Sequence, residues 1–361
     1  MKKIIFITPT DNIGASARYR VYQYLEYLPN EILYTVYPFM SNNDYFNFKK
    51  NKKLRIFIKM PLLLLKRCKL ILKCKKNDII FLHRDIIPFG PIFFERILKL
   101  KGCKIILDLD DAVYSKNIDE ISSGNKLLYK LKYGKRFDSL IKIVDSVLCG
   151  NKYIYEHCIQ YNKKCTILPT VIDTEKVKVR NVNMKKNGEI TIAWIGNPGN
   201  SNYVLAILDQ INEYFKNSTI KCNLKLIGAK NINKKYSHIN IIQKQWNLCT
   251  EYEELYECDF GIMPLLDTEW SKGKCGAKIL QYFASGMPAL ASNVGVNNEI
   301  IDDGINGFVV KDNNWYEGID KMVKKYTDLD KMGKNGRKKV EDKYSINANL
   351  HVFLNEIECK G

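Results

Sequence analysis

Short apolar runs separated by stretches of helical periodicity recur along the chain: KIIFIT (3–8), LYTVYP (33–38), DIIFLH (78–83), KIILDL (104–109) and SVLCG (146–150). Runs of this length fit strands buried on both faces, and helices between them imply parallel pairing, because only a crossover connection starts the next strand in the same direction. The order reads as repeated βα units. A second series follows a polar stretch rich in Lys and Asn (176–189): ITIAWIG (190–196), NLKLIG (223–228), INIIQ (239–243), FGIMPL (260–265), ALAS (289–292) and FVV (308–310). At 361 residues the chain is about twice the size of one ordinary domain. The pattern predicts an α/β protein of two Rossmann-like, doubly wound domains, with the ligand site in the cleft between the carboxyl ends of their strands. Thr250 and Glu253 spell a capping box for a helix over 251–257.

Composition narrows the partners. With 46% hydrophobic and 27% charged residues the chain is a packed globular protein. Eleven cysteines, an odd number without a CxxC pair, suggest neither a zinc site nor a disulfide framework and fit a reducing, cytoplasmic compartment. The opening MKKIIFITPT is apolar only over the length of a strand, unlike a secretory leader. A formal charge of +18 calls for an anionic partner, whether nucleic acid, a phosphorylated substrate or an anionic membrane. Between Asp44 and Asp78 there is no acidic residue, while Lys49, Lys50, Lys52, Lys53, Arg55, Lys59, Lys66, Arg67, Lys69, Lys73, Lys75 and Lys76 interleave with apolar side chains. Such a segment is too charged to span a bilayer but can lie flat at a headgroup layer; equally it can be a surface helix whose Leu side packs inward. Nucleic acid is not expected, since no helix-turn-helix, RNA-recognition or zinc-finger pattern accompanies the charge. No GxGxxG follows either opening strand, which speaks against a nicotinamide dehydrogenase.

The densest chemical signal is the stretch 264–310. Gly273 and Gly276 allow a tight loop before a helix from about Ala277 to Ser285, closed by Gly286 and Pro288. A helix N-terminus with free N–H groups attracts anions, and Lys272, Lys274 and Lys278 add full charges. A diphosphate suits such a site. Lys274, Lys278 and Gln281 are spaced i, i+4, i+7, so one helical face could meet phosphate at one end and ribose at the other. Taken singly, the lysines read more readily as a solvated face.

The order of features resembles the C-terminal signature of glycosyltransferase family 4, the group 1 transferases of GT-B fold. Its "A-x-G-x-P" and "G-x-x-E-I-x-x-x-G-x-x-G" segments correspond to Ala284-Ser285-Gly286-Met287-Pro288 and Gly295…Glu299-Ile300…Gly304…Gly307. The resemblance implies an N-terminal acceptor-binding domain (1–175), a C-terminal nucleotide-sugar-binding domain (176–340) and a terminal helix (341–361) packing back on the first. It implies donor contacts from Gly14, Asn197, Lys274, Cys275, Gly276, Lys278, Gln281 and Glu299. Acceptor contacts fall to Arg18, Arg20, Arg84 and Asp111, and catalytic roles to His83, Lys278 and Asp110. His83 matches the position of a histidine facing the donor sugar. Asp108, Asp110 and Asp111 invite comparison with the DxD metal site of the other transferase fold; the resembling enzymes need neither metal nor cofactor.

Two departures from the family pattern stand out. Its E-x7-E pair is here Gly273 and Gln281, so that sugar contact passes to backbone or to neighbours such as Asp267 and Trp270. The usual Arg/Lys couple after the first strand of the second domain is absent from WIGNPGNSNYVLAI, where Asn197, Asn200 and Ser201 offer neutral donors and Lys274 and Lys278 the charge. The expected activity is retaining transfer of a hexose-type sugar from a nucleotide diphosphate sugar to a glycan or lipid-linked glycan, in assembly of lipopolysaccharide or a related surface polysaccharide, with peripheral contact at the inner face of the cell membrane. A GT-B sugar-nucleotide epimerase and a non-catalytic basic binding protein are the competing readings.

Overall fold

The computed structural model describes residues 3–49, 53–115, 134–181 and 188–358. Two parallel six-stranded sheets organise it. The first comprises β1 (Lys3–Thr10), β2 (Leu33–Met40), β3 (Ile79–His83), β4 (Lys104–Leu109), β5 (Ser146–Cys149) and β6 (Cys165–Ile167), in the order β2-β1-β3-β4-β5-β6. The second comprises β7 (Glu189–Ile195), β8 (Lys221–Ile227), β9 (Ile239–Lys244), β10 (Phe260–Met263), β11 (Ala289–Ser292) and β12 (Gly307–Val310), in the order β12-β11-β10-β7-β8-β9. Each apolar run singled out above is a strand. β6 was not among them, because CTI is three residues long and lies at a sheet edge with two of its side chains exposed.

Side chains alternate between the faces of each sheet, and each face buries its own cluster. In β1, Ile5 and Ile7 join Leu70, Leu98 and Leu140 on one face, while Ile4 and Phe6 join Tyr24 and Phe353 on the other. In β7, Ala193 and Ile195 face Leu280 and Phe283, and Ile192 and Trp194 face Ile211 and Trp315.

Six helices matter for the site: α1 (residues 15–25, with a π-helical stretch Arg18–Tyr22), α2 (Lys53–Lys73), α3 (Lys152–Cys158), α4 (Glu251–Tyr256), α5 (Ala277–Ala284) and α6 (Ile346–Glu358). α6 lies on the first sheet, where Phe353 stacks on Tyr24 with ring centroids 4.2 Å apart. Thr250 precedes α4 without capping it. Its backbone (φ −123°, ψ 6°) is not the extended form that lets an N-cap oxygen reach back to the first N–H groups.

α2 realises the basic amphipathic stretch in part. Leu63, Leu70 and Ile71 pack inward. Arg67, counted above among the surface cations, is buried and donates to the carbonyls of Tyr37 (2.8 Å) and Thr8 (3.1 Å), acceptors on the two strands beneath it. Lys50 and Lys52, and 182–187 of the interdomain stretch, lie outside the described residues. No described helix is long and apolar enough to cross a membrane.

Candidate active site

Each sheet reverses its winding once, the first between β1 and β3 and the second between β7 and β10. Ligands of open parallel sheets bind in the crevice beyond the strand ends at such points. Here the two crevices face one another across a cavity of about 420 Å³. Its lining brings together Gly14, Arg18, Arg84, Asp110 and Asp111 of the first domain with Asn197, Lys274, Cys275, Gly276, Lys278 and Gln281 of the second. His83, Arg20 and Glu299 are not part of it.

On the second domain's side, Gly276 takes the left-handed conformation (φ +67°) that turns the loop into α5. A Cβ there would collide with Ile300. The ammonium of Lys278 lies 5.6 Å from the Trp194 ring, and that of Lys274 lies 5.6 Å from Trp270 and 5.8 Å from Tyr203. Among the described residues neither forms an ion pair with a carboxylate. Desolvation, and then the neighbouring charge of Lys274, push Lys278 down to about 7. Asn197 and Asn200 line the cavity, whereas Ser201 is buried and its hydroxyl accepts from the Lys230 N–H.

The loop carrying Lys274 is docked on the first domain. Asn151, buried just beyond β5, caps α3 by accepting from the Ile154 N–H and directs its amide N–H groups at the carbonyls of Gly273 (3.0 Å) and Lys274 (3.2 Å). Cys275 Sγ donates to the Asp110 carbonyl at 3.1 Å. The glycine standing where the family has its first glutamate follows from this contact, since a Cβ on Gly273 would lie 2.5 Å from the Ala112 nitrogen. Neither neighbour expected to take over sugar contact lines the cavity: Asp267 pairs with Lys272 at 3.1 Å, and Trp270 packs against the first domain's core.

On the first domain's side, arginines are paired with aspartates. The register of β3 on β4 sets His83 beside Asp108. His83 Nδ1 is 2.7 Å from Asp108 Oδ2, and Arg20 Nη2 is 2.5 Å from Asp108 Oδ1. All three side chains are fully buried. Arg20 therefore does not reach an acceptor: the π-helical stretch of α1 turns it inward, where it neutralises Asp108 and donates to the Leu168 carbonyl at 2.6 Å. Nor does the imidazole of His83 face the cavity, because Ser16 Oγ covers Nε2 at 2.7 Å.

Arg84 follows with φ +70°, a strained conformation for a residue with a side chain. It donates to Asp110 Oδ1 from Nε (3.0 Å) and Nη2 (2.9 Å), and also to Asp111. Burial, the largest single influence, opposes ionisation of Asp110, but Arg84, His83, Ser16 and Arg20 together outweigh it and hold that carboxyl well below the usual range. At Asp111 burial prevails, and its carboxyl is raised.

Arg18 bridges the domains. Its Nη2 is 3.1 Å from Glu251 Oε1, its guanidinium lies over the Tyr19 and Trp246 rings, and its Nη1 is buried without a partner. Glu251 also accepts from Trp246 Nε1 at 2.7 Å and from Gln281. Glu299 is exposed on the short helix Asn297–Ile300, which spends its inward position on Ile300 behind Gly276.

Sequence reasoning missed Ser16, Asn151, Trp246 and Glu251. Ser16 lies between Gly14 and Arg18, both named above, and Asn151 directly follows the SVLCG strand. Trp246 and Glu251 carry no local motif, because their role arises only when α4 meets α1.

Residues 189–328 match the family described as glycosyl transferases group 1. No curated protein matches the chain. Among solved structures, HepE from Anabaena in complex with UDP-glucose is similar over 99% of this chain and 100% of its own, with a TM-score of 0.69 and 11% identity. A sucrose-phosphate synthase from Thermosynechococcus elongatus is similar over 99% of both chains (TM-score 0.67, 12% identity). The apo form of the lipopolysaccharide outer core galactosyltransferase WaaB is similar over 99% of this chain and 100% of its own (TM-score 0.61, 12% identity). The fold is GT-B, and residues 189–328 make the second domain a group 1 glycosyltransferase domain.

Proposed function

We propose that this group 1 glycosyltransferase moves a hexose-type sugar, with retention, from a nucleotide diphosphate sugar to a glycan or lipid-linked glycan acceptor. The observation that carries the reading is the pair Lys274 and Lys278, which form no described ion pair with a carboxylate, at the start of α5 on a cavity from whose other wall Asp111 faces them. Unpaired cations beside a helix N-terminus are complementary to a diphosphate and to the charge that develops on it as the glycosidic bond breaks. In this reading Lys278 and Lys274 stabilise the leaving diphosphate, with Gln281 beside the ribose. Asp110, Asp111 and Arg84 orient the acceptor from the opposite wall. The leaving phosphate oxygen takes the acceptor proton on the face it departs from, so no protein nucleophile is needed. The complex of HepE with UDP-glucose makes a uridine donor the first to try.

Assay of released nucleoside diphosphate over UDP-, ADP- and GDP-sugars, each with and without glycan acceptors, tests the reading. Acceptor-dependent release with retained anomeric configuration supports it. Conversion of the sugar nucleotide without an acceptor supports an epimerase instead, and no turnover of any of them overturns the transferase reading.

A cytoplasmic enzyme peripheral to the membrane is the companion proposal. Ile58, Leu62, Leu65 and Leu72 are exposed at helical spacing on α2, between the exposed side chains of Lys59, Lys66, Lys69 and Lys73. This combination suits an anionic headgroup layer. Flotation with phosphatidylglycerol vesicles tests it, and a protein left wholly in the soluble fraction rules it out.

A further inference from the structure

His83 is sealed off from the cavity by one hydroxyl. Its ring is fully buried, held through Nδ1 by Asp108 at 2.7 Å, and its Nε2 meets Ser16 Oγ at 2.7 Å. Ser16 itself is part-exposed and lines the cavity. The arrangement is anchored from behind, because Arg20 holds the other oxygen of Asp108 and the β3–β4 register fixes His83 beside it. Ser16 Oγ has a second neighbour, donating to Asp110 Oδ2 as well. Asp110 is in turn held by Arg84.

A serine hydroxyl has one proton and two acceptor lone pairs. A carboxylate facing Nδ1 makes that nitrogen the donor, which leaves Nε2 and Asp110 Oδ2 competing for the single Ser16 proton. The hydroxyl can satisfy either neighbour by rotation while keeping a lone pair for a donor arriving from the cavity. A ligand hydroxyl is such a donor, and a sugar presents several.

We infer that Ser16 is the residue through which the first domain touches a hydroxyl of the donor sugar, with His83 and Asp108 acting behind it as positioning residues. The Ser16–His83–Asp108 triad then serves recognition, and no bond to it forms or breaks. The inference rests on the proposed nucleotide-sugar reading and names the group that carries out at the cavity wall the contact the family resemblance assigned to His83.

Calorimetric titration separates the sugar contact from the nucleotide contact. UDP and UDP-glucose are titrated into the wild type, Ser16→Ala and Ser16→Thr, with ADP/ADP-glucose and GDP/GDP-mannose as the matched pairs if uridine does not bind. The expected result is that Ser16→Ala, although it lowers the melting temperature by leaving His83 Nε2 without its partner, weakens the sugar nucleotide about three- to tenfold and leaves the bare diphosphate unchanged, while Ser16→Thr restores affinity. His83→Gln should lower the sugar increment in the wild-type background but add nothing to Ser16→Ala. An unchanged ratio of the two affinities in Ser16→Ala, or equal weakening of both ligands, overturns the inference while leaving the nucleotide site intact. If the wild type binds none of the six ligands, the nucleotide-sugar reading falls and takes this contact with it.

Discussion

Along the second domain's wall of the cleft, Lys274 and Lys278 lie near the rings of Trp194, Tyr203 and Trp270 and form no described ion pair, the charge of Asp111 reaching them only from across the cavity. Across the cavity the first domain pairs Arg20 with Asp108, and Arg84 with Asp110 and Asp111. A buried charge without a partner is costly, and a matched one is costly to disturb. The second wall therefore holds a cost that an incoming anion relieves. The first is largely paired internally, with Arg84 shared by two aspartates, and offers geometry and hydroxyl recognition. Removing a cation should accordingly damage stability on one side and function on the other.

The largest effect is expected from Arg20→Met, which strands Asp108 in the core and should cost about 3–5 kcal/mol of unfolding free energy, measured by urea denaturation. Lys278→Met should leave stability unchanged or raised, yet increase the barrier to transfer by about 2.7–4 kcal/mol, a 10²- to 10³-fold loss in kcat. If Lys278→Met unfolds the protein instead, the contrast between the walls is broken.

Asn151→Ala removes the amide that docks the Lys274 loop and the cap of α3, and should cost about 1–3 kcal/mol. Because that loop carries Lys274, KM for the donor should rise as well. A stability loss with an unchanged KM would reduce the dock to scaffolding.

A pH experiment sharpens the comparison further. Lys278 sits near 7 in the folded protein, below its ordinary value of 10.5. Between those values the unfolded chain binds more protons, so the ligand-free protein should gain stability as pH rises from 7 toward 10.5, by at most about 1.4 kcal/mol per unit. Diphosphate favours the charged lysine, so its binding should take up a proton near pH 8 and weaken as pH rises. Calorimetry in buffers of different ionisation enthalpy reads that uptake, which should vanish in Lys278→Met. The smallest effect on folding is expected for Leu65→Gln with Leu72→Gln, within about 0.5 kcal/mol per site, although vesicle binding should drop.

The two walls also differ in how far the sequence discloses them. The second wall is contiguous: Lys274, Gly276, Lys278 and Gln281 fall within eight residues, so spacing alone places them at one helix start. The strands were legible for a similar reason, since each is a local apolar run, apart from the three-residue edge strand β6. The first wall is assembled from distant segments. His83 meets Asp108 only through strand register, Arg20 turns inward only because α1 contains a π-helical stretch, and Arg18 finds Glu251 only when the domains face one another. Loop sequence showed Gly273 as a missing glutamate; only the packed structure shows Ala112 occupying the space a side chain would need.

The central claim is that the Lys274/Lys278 wall holds a nucleoside diphosphate. Its most direct test is a thermal-shift titration of UDP, ADP and GDP on the wild type and on Lys278→Met. The account predicts that one diphosphate, at 100 times its dissociation constant, stabilises the wild type by about 2.7 kcal/mol and shifts the variant far less. No shift with any of the three, or an equal shift in both proteins, would contradict it.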